Sequence, residues 1–171
     1  AEQRSREAYT KFGHIKYWER LHPEAENPHN YISGLACDHY RRFREDFDIA
    51  KSLHHNAHRF SIEWSRIEPE EGKFDEAAIA HYREVLYALR ERGMEPFVTL
   101  WHWTLPLWLR DKGGVASKEF PVFFERYTRF VVSKLDDQVT FWIPLNEPTS
   151  VIAGSYTTGQ WPPQKKSYIL A

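Results

Sequence analysis

The run Thr140-Phe141-Trp142-Ile143-Pro144-Leu145-Asn146-Glu147-Pro148 takes an apolar, β-branched and aromatic stretch abruptly into an amide and a carboxyl group. The pattern predicts a buried strand with Asn146 and Glu147 at its tip, and Pro148 ending the ladder because it has no N–H to give. A carboxylic acid placed there can exchange a proton with a bound substrate if apolar neighbours such as Trp142 raise its pKa by desolvation. Read alone, Glu147 is equally compatible with an ordinary solvated carboxylate. His102 lies between Trp101 and Trp103, where it is either a pocket residue or a satisfied core histidine. Arg59 either keeps a neighbouring carboxylate ionised or pairs with a structural acid, Glu63 or Asp46. His54 and His58 are four residues apart. They straddle a helix-to-strand junction and have no third ligand in spacing, so no metal site is expected.

Alternating helices and strands position these residues. Asp38 can cap a helix to about Leu53, with Tyr40, Phe43, Phe47, Ala50 and Leu53 on one face. Residues 58–64 alternate as a strand. Residues 68–73 form a loop, and Asp75 caps a second helix with Ile79, Tyr82, Leu86 and Leu89 buried and Gly93 as its stop. Residues 95–100 form a strand running into His102 and Trp103, followed by a loop at Gly113-Gly114. A third helix covers about 118–135, with Pro121 tolerable in its first turn. After the strand of residues 140–148 comes a loop at Gly159-Gln160-Trp161-Pro162-Pro163, and Ser167 can start another helix. Three apolar strands separated by helices imply a parallel sheet with helices outside it. Periodicity alone leaves an open doubly wound sheet and part of a barrel equally compatible.

A chain of 171 residues, 42% hydrophobic, can bury one core, and a single domain over 1–171 is expected. The 23 basic and 24 acidic residues are interspersed, so no basic stripe exists to follow a phosphate backbone and nucleic acid is not expected as a partner. A charged start with no apolar run after it predicts no secretory signal and no membrane span. Cys37 is the single cysteine and cannot form an internal disulfide, which fits a cytoplasmic protein.

Four segments, in order, resemble the family 1 glycoside hydrolases, the β-glucosidase and β-galactosidase family. They are Gly34-Leu35-Ala36-Cys37-Asp38-His39-Tyr40, the run from His58 through Arg59 to Ile67, the run from Thr99 through His102 and Trp103 to Trp108, and Asn146-Glu147-Pro148 with the Trp161-Pro162-Pro163 loop. The resemblance covers about residues 34–171, and 1–33 form a weakly matched leading segment with a loose similarity around Tyr17-Trp18-Glu19-Arg20-Leu21. It implies an α/β fold, a partial (β/α)8 TIM barrel whose strands 2–4 are recognisable, with parallel strands and outer helices. The implied activity is retaining hydrolysis of β-glucosides or β-galactosides without metal or cofactor.

The resemblance also assigns roles. Glu147 matches the acid/base, Asn146 the residue that bonds the sugar 2-hydroxyl, His102 and Trp103 sugar contacts in the pocket, and Arg59 the arginine beside the nucleophile. A retaining hydrolase needs two carboxyl groups about 5–5.5 Å apart. The family's nucleophile is a Glu on the seventh strand, to which no residue here matches, so the chain is expected to carry the acid/base half of the site. The expected partners are a β-linked glycoside or oligosaccharide, and a complementary barrel half or a second copy that would pair with open sheet edges. The alternative is a catalytically incomplete half-barrel acting as an assembly module or weak sugar binder. Departures from the family pattern are Val115, Gln164 and Pro144, the last of which removes a ladder donor and suggests an edge strand.

Overall fold

Val98, Phe97 and Thr99 suit a pleated, buried backbone, and their segment is the middle strand of a three-stranded parallel sheet. The computed structural model describes residues 36–159 and 166–167. Residues Cys37–Asn146 form one compact unit, and the described residues from Glu147 onward belong to another.

In the first unit, β1 (Ala57–Ser61), β2 (Glu95–Trp101) and β3 (Phe141–Leu145) lie in that order. The register sets Arg59 beside Phe97, Ser61 beside Thr99, and Thr99 beside Ile143. Alternation along each strand then puts Arg59, Ser61, Phe97, Thr99 and Phe141 on one face and His58, Phe60, Val98 and Trp142 on the other. Parallel strands need long crossovers, supplied by helices. α1 (His39–Ser52) precedes β1, and the short α2 (Trp64–Ile67) follows it. α3 (Glu76–Glu91) leads to β2, α4 (Leu107–Asp111) follows β2, and α5 (Phe120–Leu135) leads to β3. Phe43, Phe47 and Ala50 of α1 pack with Val85, Ala88 and Leu89 of α3, with Phe60 of β1 against them. Leu86 and Leu89 are fully buried, each contributing roughly 2 kcal/mol of apolar burial.

The anticipated caps hold in α3. Asp75 Oδ1 accepts from the N–H groups of Ala77 and Ala78 at 2.8 and 3.2 Å, and Gly93 takes φ 68°. Three expectations change. Asp38 does not cap α1 with its side chain; it sits at φ 50°, its carbonyl accepts from Arg41 and Arg42, and its carboxylate faces the Arg41 guanidinium. Leu53 is 64% exposed, because α1 stops at Ser52 and the chain turns at His54, φ 64°. The strand expected over 58–64 ends at Ser61. Ile62 still donates to the Thr99 carbonyl, but Glu63 then accepts from Ser65 N–H and caps α2, which takes Trp64 into a buried helical turn. Local capping chemistry overrides the alternation there. α5 begins at Phe120, with Pro121 in its first turn. Pro144 is exposed in β3, the terminal strand of the described sheet.

Glu68, just after α2, is fully buried. Arg126 of α5 pairs with it, and Trp64 Nε1 and Gly72 N–H donate to it at 2.9 and 2.7 Å. Trp64 stacks on Tyr127 with ring centroids 4.5 Å apart, so this carboxylate ties α2 to α5 inside an aromatic wall.

His58 and His81 are held below their ordinary pKa of 6.5, His58 by burial and then by His39 and His55, His81 by burial and then by Arg66. A depressed histidine pKa means that the folded state binds fewer protons than the unfolded chain. The associated stability is complete above about pH 6.5 and is lost as pH falls below it. The urea midpoint is therefore expected to drop between pH 7.5 and 5.5, with a smaller drop in His58→Gln; equal drops in the two proteins would refute the assignment to His58.

The second unit begins at Glu147, which takes φ 41° and ψ 61°. Its carbonyl accepts from Ser150 N–H at 3.0 Å and starts α6 (Pro148–Ile152), with Pro148 in the first turn. Proline suits this position, where its missing N–H would have no helical partner. The sheet ladder ends earlier, with Asn146 N–H donating to the Trp101 carbonyl, so Pro148 opens a helix where it was expected to close a strand. A π-helical turn, Ala153–Thr157, follows α6, and Ser167 N–H donates to the Tyr156 carbonyl. Residues 1–33, Gly34, Leu35, the Trp161-Pro162-Pro163 loop and Gln164 lie outside the described residues, as do 168–171, where the helix expected from Ser167 would run.

Candidate functional site

Arg59 reaches from β1 across the sheet face that it shares with Phe97 and Thr99. Its Nε–H donates to Thr99 Oγ1 at 3.0 Å and its Nη2–H donates to Asn146 Oδ1. Thr99 and Asn146 are buried, so two buried acceptors fix the guanidinium plane. Arginine has donors and no acceptor, which settles the Asn146 amide: the oxygen faces Arg59, and the NH2 is the group left to offer a ligand. That is the donor a sugar hydroxyl can accept. The acids weighed as structural partners of Arg59 are engaged elsewhere. Asp46 pairs with His39 at 2.6 Å, and Glu63 binds Ser65 and Thr104. Among the described residues no carboxylate pairs with Arg59, and its charge is met by neutral oxygens.

The turn after β2 carries His102 and Trp103. Thr104 N–H donates back to the His102 carbonyl at 2.9 Å, and Trp103 between them has φ 75°. This is a γ-turn of the strained, positive-φ hand, rare for a bulky residue. Trp101 Nε1–H donates to the Thr104 carbonyl, and Trp103 Nε1–H to the Asn146 carbonyl, both at 2.9 Å. Trp103 is 36% exposed as a residue, which leaves part of it open to a ligand's apolar face. His102 is exposed too, so it is no core histidine. Its Nδ1 lies 2.9 Å from Ser61 Oγ, and its ring meets Trp103 edge-on with centroids 5.3 Å apart.

Arg59, Asn146 and Trp103 are thus joined by hydrogen bonds, and His102 lies against Trp103. Thr99, Ser61 and Thr104 also build the site and were not picked out from the sequence, and Glu63, weighed there as a partner of Arg59, binds Thr104 instead. Register holds the missing signal: Ser61 is two residues beyond Arg59 on the same face and is paired with Thr99. Glu147, in the other unit, is exposed, and Ser150 Oγ–H donates to its Oε2 at 3.1 Å. Among the described residues no three His, Cys, Asp or Glu side chains are grouped to hold a metal ion, and no helix is long and apolar enough to cross a membrane.

Comparisons with known proteins identify the family and the fold. The sequence profile of "Glycosyl hydrolase family 1" matches residues 12–170. Beta-glucosidase A of Thermotoga maritima is 37% identical over 155 residues, covering 88% of this chain and 35% of that protein. Coniferin beta-glucosidase of Pinus contorta is 40% identical over 133 residues, 77% of this chain and 26% of that protein. In three dimensions, the AHE enzyme of Alicyclobacillus herbarius superposes with a TM-score of 0.77 at 40% identity, covering 80% of this chain and 31% of that one. The Thermotoga maritima β-glucosidase in complex with deoxynojirimycin gives 0.76 at 38%, covering 78% and 31%. The chain spans about a third of the length of the curated relatives it matches. Its parallel sheet and outer helices are a partial (β/α)8 barrel of the same kind. Profile, relatives and fold agree, and the chain belongs to glycosyl hydrolase family 1.

Proposed function

We propose that these residues serve the retaining hydrolysis of β-linked glucosides or galactosides, with Glu147 as the acid/base. The observation that carries the reading is the Arg59–Asn146 hydrogen bond, which commits the Asn146 oxygen and leaves its NH2 to offer a ligand, in a family 1 chain whose next residue is Glu147. In the first step Glu147 protonates the glycosidic oxygen as the bond to the anomeric carbon breaks and a second carboxylate attacks that carbon. In the second, Glu147 takes a proton from water, which releases the sugar. Asn146 donates to the 2-hydroxyl, and the Trp103 and His102 rings hold the sugar. Arg59 favours the ionised form of the attacking carboxylate. No residue of this chain is assigned as that nucleophile. It comes from a further part of a longer protein or a complementary barrel half, or it is a carboxylate of this chain that the family pattern does not mark.

Because no carboxylate among the described residues pairs with Arg59, a second reading is an assembly module or weak sugar binder without turnover. Hydrolysis of p-nitrophenyl β-glucoside and β-galactoside by the protein and its Glu147→Gln variant separates the two. Nitrophenol release that vanishes in the variant supports the enzyme. Release from neither supports the module.

A further inference from the structure

A tryptophan at φ 75° persists only where its surroundings over-determine the backbone. Two of the restraints, the indole bonds of Trp101 and Trp103, come from within the turn and from Asn146. A third comes from the end of β1: Thr104 Oγ1–H donates to Glu63 Oε2 at 2.7 Å. Glu63 is a stiff anchor. Its Oε1 accepts from the backbone N–H and the hydroxyl of Ser65 at 3.2 and 2.7 Å. Its own backbone N–H donates at 2.9 Å to the hydroxyl of Tyr82, whose ring is buried. A bond to an ionised acceptor is also stronger than a neutral one. We infer that Glu63, acting through Thr104, is a positioning residue that holds the γ-turn and so fixes Trp103 and His102 for sugar binding. This rests on the reading of Trp103 as a sugar contact.

Thr104 is exposed, so Thr104→Val removes the hydroxyl at nearly constant volume without opening the core. Thr104→Ser keeps the donor. Exchange of the Trp103 indole N–H with solvent, its signal assigned by its loss in Trp103→Phe, reads the turn directly and needs no ligand. Exchange is expected to be about tenfold faster in Thr104→Val, the scale of one charge-assisted hydrogen bond, and restored in Thr104→Ser, with the urea midpoint lowered in Thr104→Val by no more than the loss of that one bond and restored in Thr104→Ser. An unchanged exchange rate in Thr104→Val overturns the inference. Calorimetric titration with 1-deoxynojirimycin tests the underlying reading separately. Trp103→Ala is expected to weaken binding more than Thr104→Val does, and Thr104→Val by about tenfold. Weak binding in Trp103→Ala beside wild-type binding in Thr104→Val removes the positioning role while leaving the sugar contact. Wild-type binding in Trp103→Ala removes the sugar contact, and the inference with it.

Discussion

In the protein together with whatever supplies its nucleophile, and on the proposed reading, Glu147→Gln should lower kcat/KM for a glycoside with a basic leaving group, such as cellobiose, by about 10²- to 10⁴-fold, the usual contribution of general acid catalysis. The substitution keeps the side chain's shape and removes the proton that the departing alkoxide needs. A dinitrophenyl glycoside leaves as a stable anion and needs no such proton, so its kcat/KM should be nearly unchanged. Its kcat should fall all the same, because the second step loses its base and the glycosyl-enzyme accumulates. Azide, a nucleophile that needs no deprotonation, should restore that kcat and yield the β-glycosyl azide. The exposed setting of Glu147 and its bond from Ser150 raise no obstacle to folding of the variant. Equal losses in kcat/KM for cellobiose and the dinitrophenyl substrate would sink the assignment, because a general binding or folding defect does not depend on leaving-group basicity.

The second large effect is on stability. Glu68 is fully buried and accepts from Arg126, Trp64 Nε1 and Gly72 N–H. Glu68→Ala strands all three donors and opens a hole between α2 and α5. Breaking a buried pair costs about 3–5 kcal/mol, and the loss here should fall near about 3 kcal/mol because Arg126, 34% exposed, can turn to water. Against a total of roughly 5–15 kcal/mol, that is a large share. Glu68→Gln keeps one acceptor oxygen and should cost less. Urea denaturation of the three proteins gives the comparison; a loss under about 1 kcal/mol in Glu68→Ala would show that the donors find other partners.

The sequence made the scaffold legible where one force dominates. Asp75 and Gly93 bracket α3 because a cap and a positive φ are local requirements that a few residues reveal. Ile79, Tyr82, Leu86 and Leu89 repeat with the helical period and are buried together. Reading failed where two local signals compete. Residues 58–64 alternate like a strand, but Glu63 offers a carboxylate to Ser65 N–H, and the cap wins beyond Ser61. Asp38 has a capping side chain, but its left-handed backbone turns the carboxylate toward Arg41. The site divides in the same way. Asn146 stands out as an amide closing an apolar strand, and the resemblance to family 1 is what marks Arg59, His102 and Trp103. Thr99, which seats Arg59, looks like an ordinary strand residue until the parallel register brings the two side by side. The γ-turn at Trp103 has no sequence signal, because no glycine or asparagine announces its positive φ.

That turn has a consequence for how position 103 tolerates change. Its backbone favours glycine, which reaches φ 75° without steric penalty. A complete substitution library at this position should therefore rank in two opposing orders. Among side chains that cannot bond the Asn146 carbonyl, glycine should lead by melting temperature, while the aromatic residues should lead by sugar affinity. Once the indole is lost, selection for thermal robustness alone would settle on glycine at 103, keeping the turn in a scaffold that has lost its grip on the ligand.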